Sequence, residues 1–147
     1  PGATRAIQIL TDVGFPNGVI LSRDEKVLYL NNSAGEHLLA FDVQPDGSLT
    51  NRRNLAKYEG VRANAAGVPQ SGADGLTIDA QGRLYIAAST GVQVFTPQGQ
   101  HLGTIPTPRP PQNLAFAGPD KKTLYIVGRG VVSKVQMVAE GFKDRAK

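Results

Sequence analysis

The feature that most restricts this chain's fold is an internal repeat, because one pattern of short apolar runs is written three times. The first copy reads Pro16-Asn-Gly-Val-Ile-Leu-Ser22, a charged turn, Val27-Leu-Tyr-Leu30, then Leu38-Leu-Ala-Phe-Asp-Val43. The second reads Ala73-Asp-Gly-Leu-Thr-Ile-Asp79, Gln81-Gly82, Leu84-Tyr-Ile86, then Val92-Gln-Val-Phe95. The third reads Pro111-Gln-Asn-Leu-Ala-Phe-Ala117, Pro119-Asp120, Leu124-Tyr-Ile126, then Val131-Val-Ser-Lys-Val135. The runs are rich in β-branched and aromatic residues, and each is too short for a helix. Between them, Asp46-Gly47, Gln81-Gly82 and Gln98-Gly99 put glycine where a tight turn needs positive φ. Helical periodicity is confined to the last ten residues, if it occurs at all.

A unit of about 40–45 residues built from four short strands is the pattern of a propeller blade, so the expected class is all-β. Leu49 to Tyr58 supplies a fourth strand after the first unit and His101 to Ile105 after the second, while a Gly-, Ala- and Asn-rich loop, Gly60 to Gly72, separates the two units. The third unit lacks a follower, yet a spare strand, Arg5-Ala-Ile-Gln-Ile-Leu10, precedes the first. The expected organisation is one unit of three blades, residues 15–58, 72–107 and 110–138, with residues 5–10 as an extra outer strand. Three blades do not close a ring, since propellers take at least about four. An open arc would also leave apolar faces at both ends. The expectation is half of a six-bladed propeller. A second copy would close it, with Arg5–Leu10 of each chain completing the third blade of the other. The alternative is that the missing half lies elsewhere, and a chain opening on Pro1 without Met is expected to have been trimmed.

Composition removes other classes. With 40% hydrophobic and 19% charged residues the chain is neither disordered nor a coiled coil. The absence of cysteine excludes disulfide scaffolds, thiolate zinc sites and cysteine nucleophiles. The net charge of +4 is spread as single residues or pairs near turns, and Trp is absent, so no nucleic-acid surface is expected. No apolar run is long enough to span a membrane. No signal peptide is visible either, and the compartment stays open.

Longer motifs carry a family resemblance. Phe15-Pro-Asn-Gly-Val, Ser22-Arg-Asp-Glu-Lys-Val-Leu-Tyr-Leu and Phe41-Asp-Val-Gln-Pro-Asp-Gly-Ser-Leu-Thr-Asn-Arg-Arg53 resemble the senescence-marker-protein/gluconolactonase/luciferin-regenerating-enzyme family. So do Ala73-Asp-Gly-Leu-Thr-Ile-Asp-Ala-Gln-Gly-Arg-Leu-Tyr85, Gly91-Val-Gln-Val-Phe95 and Asn113-Leu-Ala-Phe-Ala-Gly-Pro-Asp-Lys-Lys-Thr-Leu-Tyr125. The likeness runs in order over nearly the whole chain and corresponds to the C-terminal half of a family member. It implies a six-bladed propeller holding a divalent cation at the mouth of its channel, and a lactone or ester hydrolase. The family's Asn ligand maps onto Asn17 and its Asp ligand onto Asp74; chemistry adds that a cation there would acidify a bound water whose proton Asp74 could take, the expected catalytic role.

Both residues sit at one repeat position, just before the innermost strand, and the third repeat has Gln112 there. An amide oxygen and a carboxylate are hard donors suited to Ca²⁺, the first expectation, or to Mg²⁺ or Mn²⁺, with Zn²⁺ as a further option. Alone, Asn-Gly and Asp-Gly are ordinary turn dipeptides. Two departures from the family pattern stand out. Its N-terminal Glu ligand and a substrate-binding Asn belong to blades this chain does not contain, and the usual Pro before Asp-Gly is Ala73. Hence the second functional expectation, a non-catalytic half-propeller that binds a partner, or an inactive remnant. His37 and His101 read as surface residues, Asp24, Asp46, Asp79 and Asp120 as turn caps, and Tyr29, Tyr85 and Tyr125 as interblade packing. No nucleophile elbow and no phosphate-cradling glycine loop occurs.

Overall fold

The computed structural model describes residues 5–143. Among them there is no helix, and thirteen strands form three antiparallel meanders and one small hairpin. The first meander comprises β1 (Pro16–Leu21), β2 (Val27–Asn32), β3 (His37–Val43) and β4 (Leu49–Lys57), in that spatial order. The loop after it folds a short hairpin, β5 (Arg62–Ala63) with β6 (Pro69–Gln70), which the sequence did not announce. The second meander holds β7 (Leu76–Ile78), β8 (Leu84–Ala88), β9 (Gly91–Phe95) and β10 (His101–Ile105). The third has β11 (Asn113–Ala117), β12 (Thr123–Gly128) and β13 (Val131–Gln136), and no fourth strand among the described residues.

Each meander is a propeller blade whose first strand is innermost, and β1, β7 and β11 approach one another side by side. Turn chemistry enforces the repeat. Gly47, Gly82 and Gly99 all adopt positive φ, at 82°, 77° and 89°. The carboxylates expected as caps close the turns: Asp46 accepts from the Ser48 amide, Asp79 from the Gln81 and Arg83 amides, and Asp120 from the Lys122 amide. Asp79 is buried and is further satisfied by the Arg83 guanidinium at 2.5 Å and the Tyr85 hydroxyl at 3.1 Å.

The core lies between blades rather than within them. Tyr29, Leu38, Ala40 and Ala56 of the first blade pack on Leu76, Ile78, Leu84, Ile86 and Phe95 of the second. On the other side of the second blade, Tyr85, Ala87 and Val92 pack on Leu114, Phe116, Leu124 and Ile126 of the third. Tyr85 and Phe116 meet edge to face, with centroids 5.2 Å apart. The strand alternation explains this arrangement, because each middle strand sends its Leu and Ile to one face and its Tyr to the other. Tyr29 and Tyr85 therefore face the next blade and are 6% and 3% exposed. Tyr125 occupies the same position in the third blade but has no successor in this chain, and it is 43% exposed beside Val127 and Val132.

Residues 6–13 carry no strand pairing in the single chain, and Ile7 and Ile9 are 77% and 57% exposed. Their expected pairing is with another chain. At the other end, the described part of the C-terminal segment forms no helix. It crosses the face opposite the strand starts, bridging Gly141 to Asp79 and donating from the Gly141 amide to the Lys121 carbonyl. Phe142 joins the first interblade cluster under the Arg23 guanidinium, 5.6 Å above its ring. Glycine is required at 141 because a Cβ would stand 2.2 Å from that of Phe116.

Candidate functional site

At the starts of the innermost strands Asn17, Asp74 and Gln112 stand at one level, and a repeated backbone bond explains how. The Gly18 amide donates to the Asp74 carbonyl at 3.1 Å, and the Gly75 amide donates to the Gln112 carbonyl at 2.8 Å. In each case the residue after the candidate position reaches the candidate position of the following blade. Such an approach leaves no room for a side chain. A Cβ on Gly18 would lie 2.2 Å from the Asp74 oxygen, and one on Gly75 would lie 2.3 Å from Asn113 Oδ1. The glycine in Asn-Gly and Asp-Gly is thus required by crowding between blades, not by turn conformation.

The Asp74 backbone is held at every point. Its amide donates to the Ala87 carbonyl at 2.9 Å, and its carbonyl also accepts from Asn31 Nδ2 at 2.6 Å. Asn31 is fully buried on β2, and its own oxygen accepts from the Tyr58 hydroxyl at 2.9 Å. Ser33 donates to the Ala73 carbonyl at 2.6 Å and accepts from Asn17 Nδ2 at 3.2 Å. That bond, with the hydrogen bond the Asn17 side chain makes to the Asp74 carboxyl, sets the orientation of the Asn17 amide. Sequence reasoning did not find Asn31, Ser33 or Tyr58, because their roles depend on contacts between blades.

Partial burial raises the Asp74 carboxyl pKa, while the charge of Arg129 and a hydrogen bond from Asn17 oppose that rise. Arg129 is a further residue beside the candidate positions that sequence reasoning did not single out. It tops the β12–β13 hairpin, and its flanking glycines, Gly128 and Gly130, were the available signal. Its amide donates to Gln112 Oε1 at 3.0 Å, so the side chain at the third repeat position grips the hairpin. His37 and His101 lie on other strands than the candidate residues; His101 packs on Phe95 with rings tilted 49° and centroids 5.1 Å apart, and contacts Thr104. Among the described residues, no three His, Asp or Glu side chains gather as a metal cluster.

Comparison with known proteins gives a consistent result. Residues 1–129 match the model of the SMP-30/Gluconolactonase/LRE-like region. A gluconolactonase from Zymomonas mobilis is 35% identical over 82% of this chain and 34% of its own length. A regucalcin from Danio rerio is 32% identical, over 87% of this chain and 42% of its own. The solved gluconolactonase from Xanthomonas campestris superposes with a TM-score of 0.70 at 31% identity, covering 86% of this chain and 39% of that one. The calcium-binding regucalcin from Agrobacterium tumefaciens shares the fold with a TM-score of 0.76 at 19% identity, over 91% of this chain and 50% of its own. The chain spans about a third to two fifths of the length of these curated relatives. Repeat, blade architecture and matched motifs agree that this chain belongs to the SMP-30/gluconolactonase/LRE-like family.

Proposed function

We propose that the chain carries half of the channel mouth of a divalent-cation-dependent lactone or ester hydrolase of gluconolactonase type. The supporting observation is the meeting of Asn17 and Asp74 at one repeat position on adjacent innermost strands, locked by the 3.1 Å bond from the Gly18 amide to the Asp74 carbonyl. Asn17 Oδ1 and the Asp74 carboxylate would hold the cation. An all-oxygen set favours Ca²⁺, then Mg²⁺ or Mn²⁺, over Zn²⁺, which prefers nitrogen and sulfur. Bound there, a cation supplies Lewis acidity, polarising a lactone carbonyl and making a nearby water more acidic.

The remaining chemistry belongs to the chain's own side chains. Partial burial makes the Asp74 carboxylate a stronger base than an ordinary surface carboxylate. Asp74 takes a proton from the attacking water, whose oxygen adds to the carbonyl carbon. The ring C–O bond then breaks, and the proton passes to the departing alkoxide, giving a hydroxy acid. Ser33 keeps the Asn17 amide oriented, and Asn31 with Tyr58 keeps the Asp74 backbone from drifting.

The rest of the ring would come from a second copy or from an N-terminal half. Tyr125, Val127 and Val132 form the face it would cover, and the Ile7 and Ile9 segment would add the fourth strand to the third blade. Light scattering at several concentrations reads the first possibility as twice 15.6 kDa, and a clean monomer removes it. Lactone hydrolysis followed by base uptake, with and without a chelator, tests the activity. Hydrolysis lost on chelation and in Asp74→Asn supports the reading, and chelator-insensitive hydrolysis contradicts it.

The thin donor set favours one second reading. Among the described residues no three His, Asp or Glu side chains gather, which suits a non-catalytic module that binds through its open blade face.

A further inference from the structure

The mouth carries a cation as well as a carboxylate, and its placement is built rather than incidental. Gln112 stands where the first two repeats present Asn17 and Asp74, yet its side-chain oxygen is turned to the Arg129 amide at 3.0 Å. Its backbone amide donates to the Val127 carbonyl at 2.8 Å on the same hairpin. Gly128 lies against the Pro110 carbonyl and the Gln112 nitrogen so closely that a Cβ would be 2.6 and 2.8 Å from them. The β12–β13 tip is therefore clamped onto the start of β11 by three separate contacts. Arg129 itself is held in the left-handed region at φ 51°. The other non-glycine residues with positive φ, Glu25, Asn51 and Lys121, lie on outer strands or on turns at the opposite end of the blades. The Gly75 amide, next to Asp74, donates to the Gln112 carbonyl at 2.8 Å, so the hairpin tip stands beside the Asp74 position.

A guanidinium carried on a backbone held beside a carboxylate that is to hold a cation works against that cation, since like charges repel. Arginine's planar fork is instead suited to a carboxylate, which it can engage through two parallel hydrogen bonds. We infer that Arg129, positioned by Gln112, is an anion-recognising residue of the channel mouth that binds the carboxylate of the ring-opened hydroxy acid. The inference rests on the lactonase reading for the identity of its ligand, and on the hairpin geometry for its place. It also assigns the third repeat position a role: Gln112 positions the group that meets the product, while Asn17 and Asp74 serve the opposite charge.

The test uses the whole 147-residue chain, isotopically labelled and freed of divalent cations, because gluconate itself chelates them. Sodium D-gluconate is titrated while amide chemical shifts are followed, with neutral D-gluconamide and equimolar sodium chloride as controls. Gluconate is expected to shift the Gly128–Gly130 and Asp74 amides saturably, and neither control should do so. Arg129→Gln is expected to weaken gluconate about tenfold or more, as for loss of a charge-assisted bond pair. Arg129→Gly removes the same charge while relieving the left-handed backbone, so it melts no lower than the parent, and lost binding cannot be blamed on misfolding. Gln112→Leu should weaken gluconate less than either. Separately, Ca²⁺ affinity should rise about two- to fivefold in Arg129→Gln, as a repelling charge is removed. Gluconate binding that is absent, or unchanged in both Arg129 variants, overturns the inference. A chain that binds gluconate through Arg129 but takes no Ca²⁺ overturns the cation reading and leaves the inference standing.

Discussion

Replacing Gly18 by alanine tests the interblade geometry and the site together. Gly18 has an ordinary φ, so alanine brings no backbone strain, and the outcome depends on space alone. The new Cβ would meet the Asp74 carbonyl oxygen at 2.2 Å, Leu76 Cδ2 at 2.8 Å and the Gly75 Cα at 3.0 Å. Restoring contact distance requires β1 and β7 to separate by about 1 Å, and overpacking of this kind costs about 1–3 kcal/mol. The Gly18–Asp74 hydrogen bond is stretched or lost, adding about 1 kcal/mol. Alanine's smaller unfolded-state entropy returns about 0.4–1 kcal/mol. The net loss is about 2 kcal/mol, a fall in Tm of roughly 4–8 °C for a chain of this size. Gly14→Ala is the control, since its Cβ would find nothing nearer than the Ala34 carbonyl at 3.3 Å, and its effect should stay within about 0.5 kcal/mol. Urea unfolding measures both. Equal stability of the two variants would refute the close approach of the innermost strands, and with it the argument that holds Asn17 and Asp74 at one level.

Three further outcomes follow from the same contacts. Burial raises the Asp74 pKa, so its ionised form costs stability above that raised value and the cost disappears as pH falls through it; cation-free Asp74→Asn should therefore melt at or above the parent at neutral pH, with the difference vanishing in acid. Tyr58→Phe leaves the buried Asn31 oxygen without its 2.9 Å donor and should cost about 1–3 kcal/mol in urea unfolding, whereas Tyr125→Phe, whose hydroxyl end is on an open face, should cost under about 0.5 kcal/mol. Leu84→Ala, at the centre of the first interblade cluster, should lose about 2–5 kcal/mol.

Much of this was legible in the sequence because the repeat writes each strand three times with its turns. Asp79 with Gly82 announces a tight turn locally, and the alternation in Leu84-Tyr-Ile86 announces two buried faces. The positions of Asn17 and Asp74 could be aligned for the same reason. What could not be read were relations between blades. Asn31 looks like any strand residue until the Asp74 carbonyl arrives from the next blade. Gln112 reads as a weak ligand until its oxygen is seen on the Arg129 amide. The small hairpin β5–β6 escaped because two-residue strands carry no periodicity. Tyr125 was expected in a blade interface, and in the described residues it stands 43% exposed on the outer face of the third blade.

The most direct test of the account is calorimetric titration of Ca²⁺ into the cation-free chain, alongside Asn17→Leu and Asp74→Asn. The account predicts saturable binding to the parent at about 10⁻⁴–10⁻³ M, the weak range suited to few charged ligands, and at least a tenfold loss in each variant. Binding of equal strength in all three would contradict it, as would a parent chain that takes up no Ca²⁺.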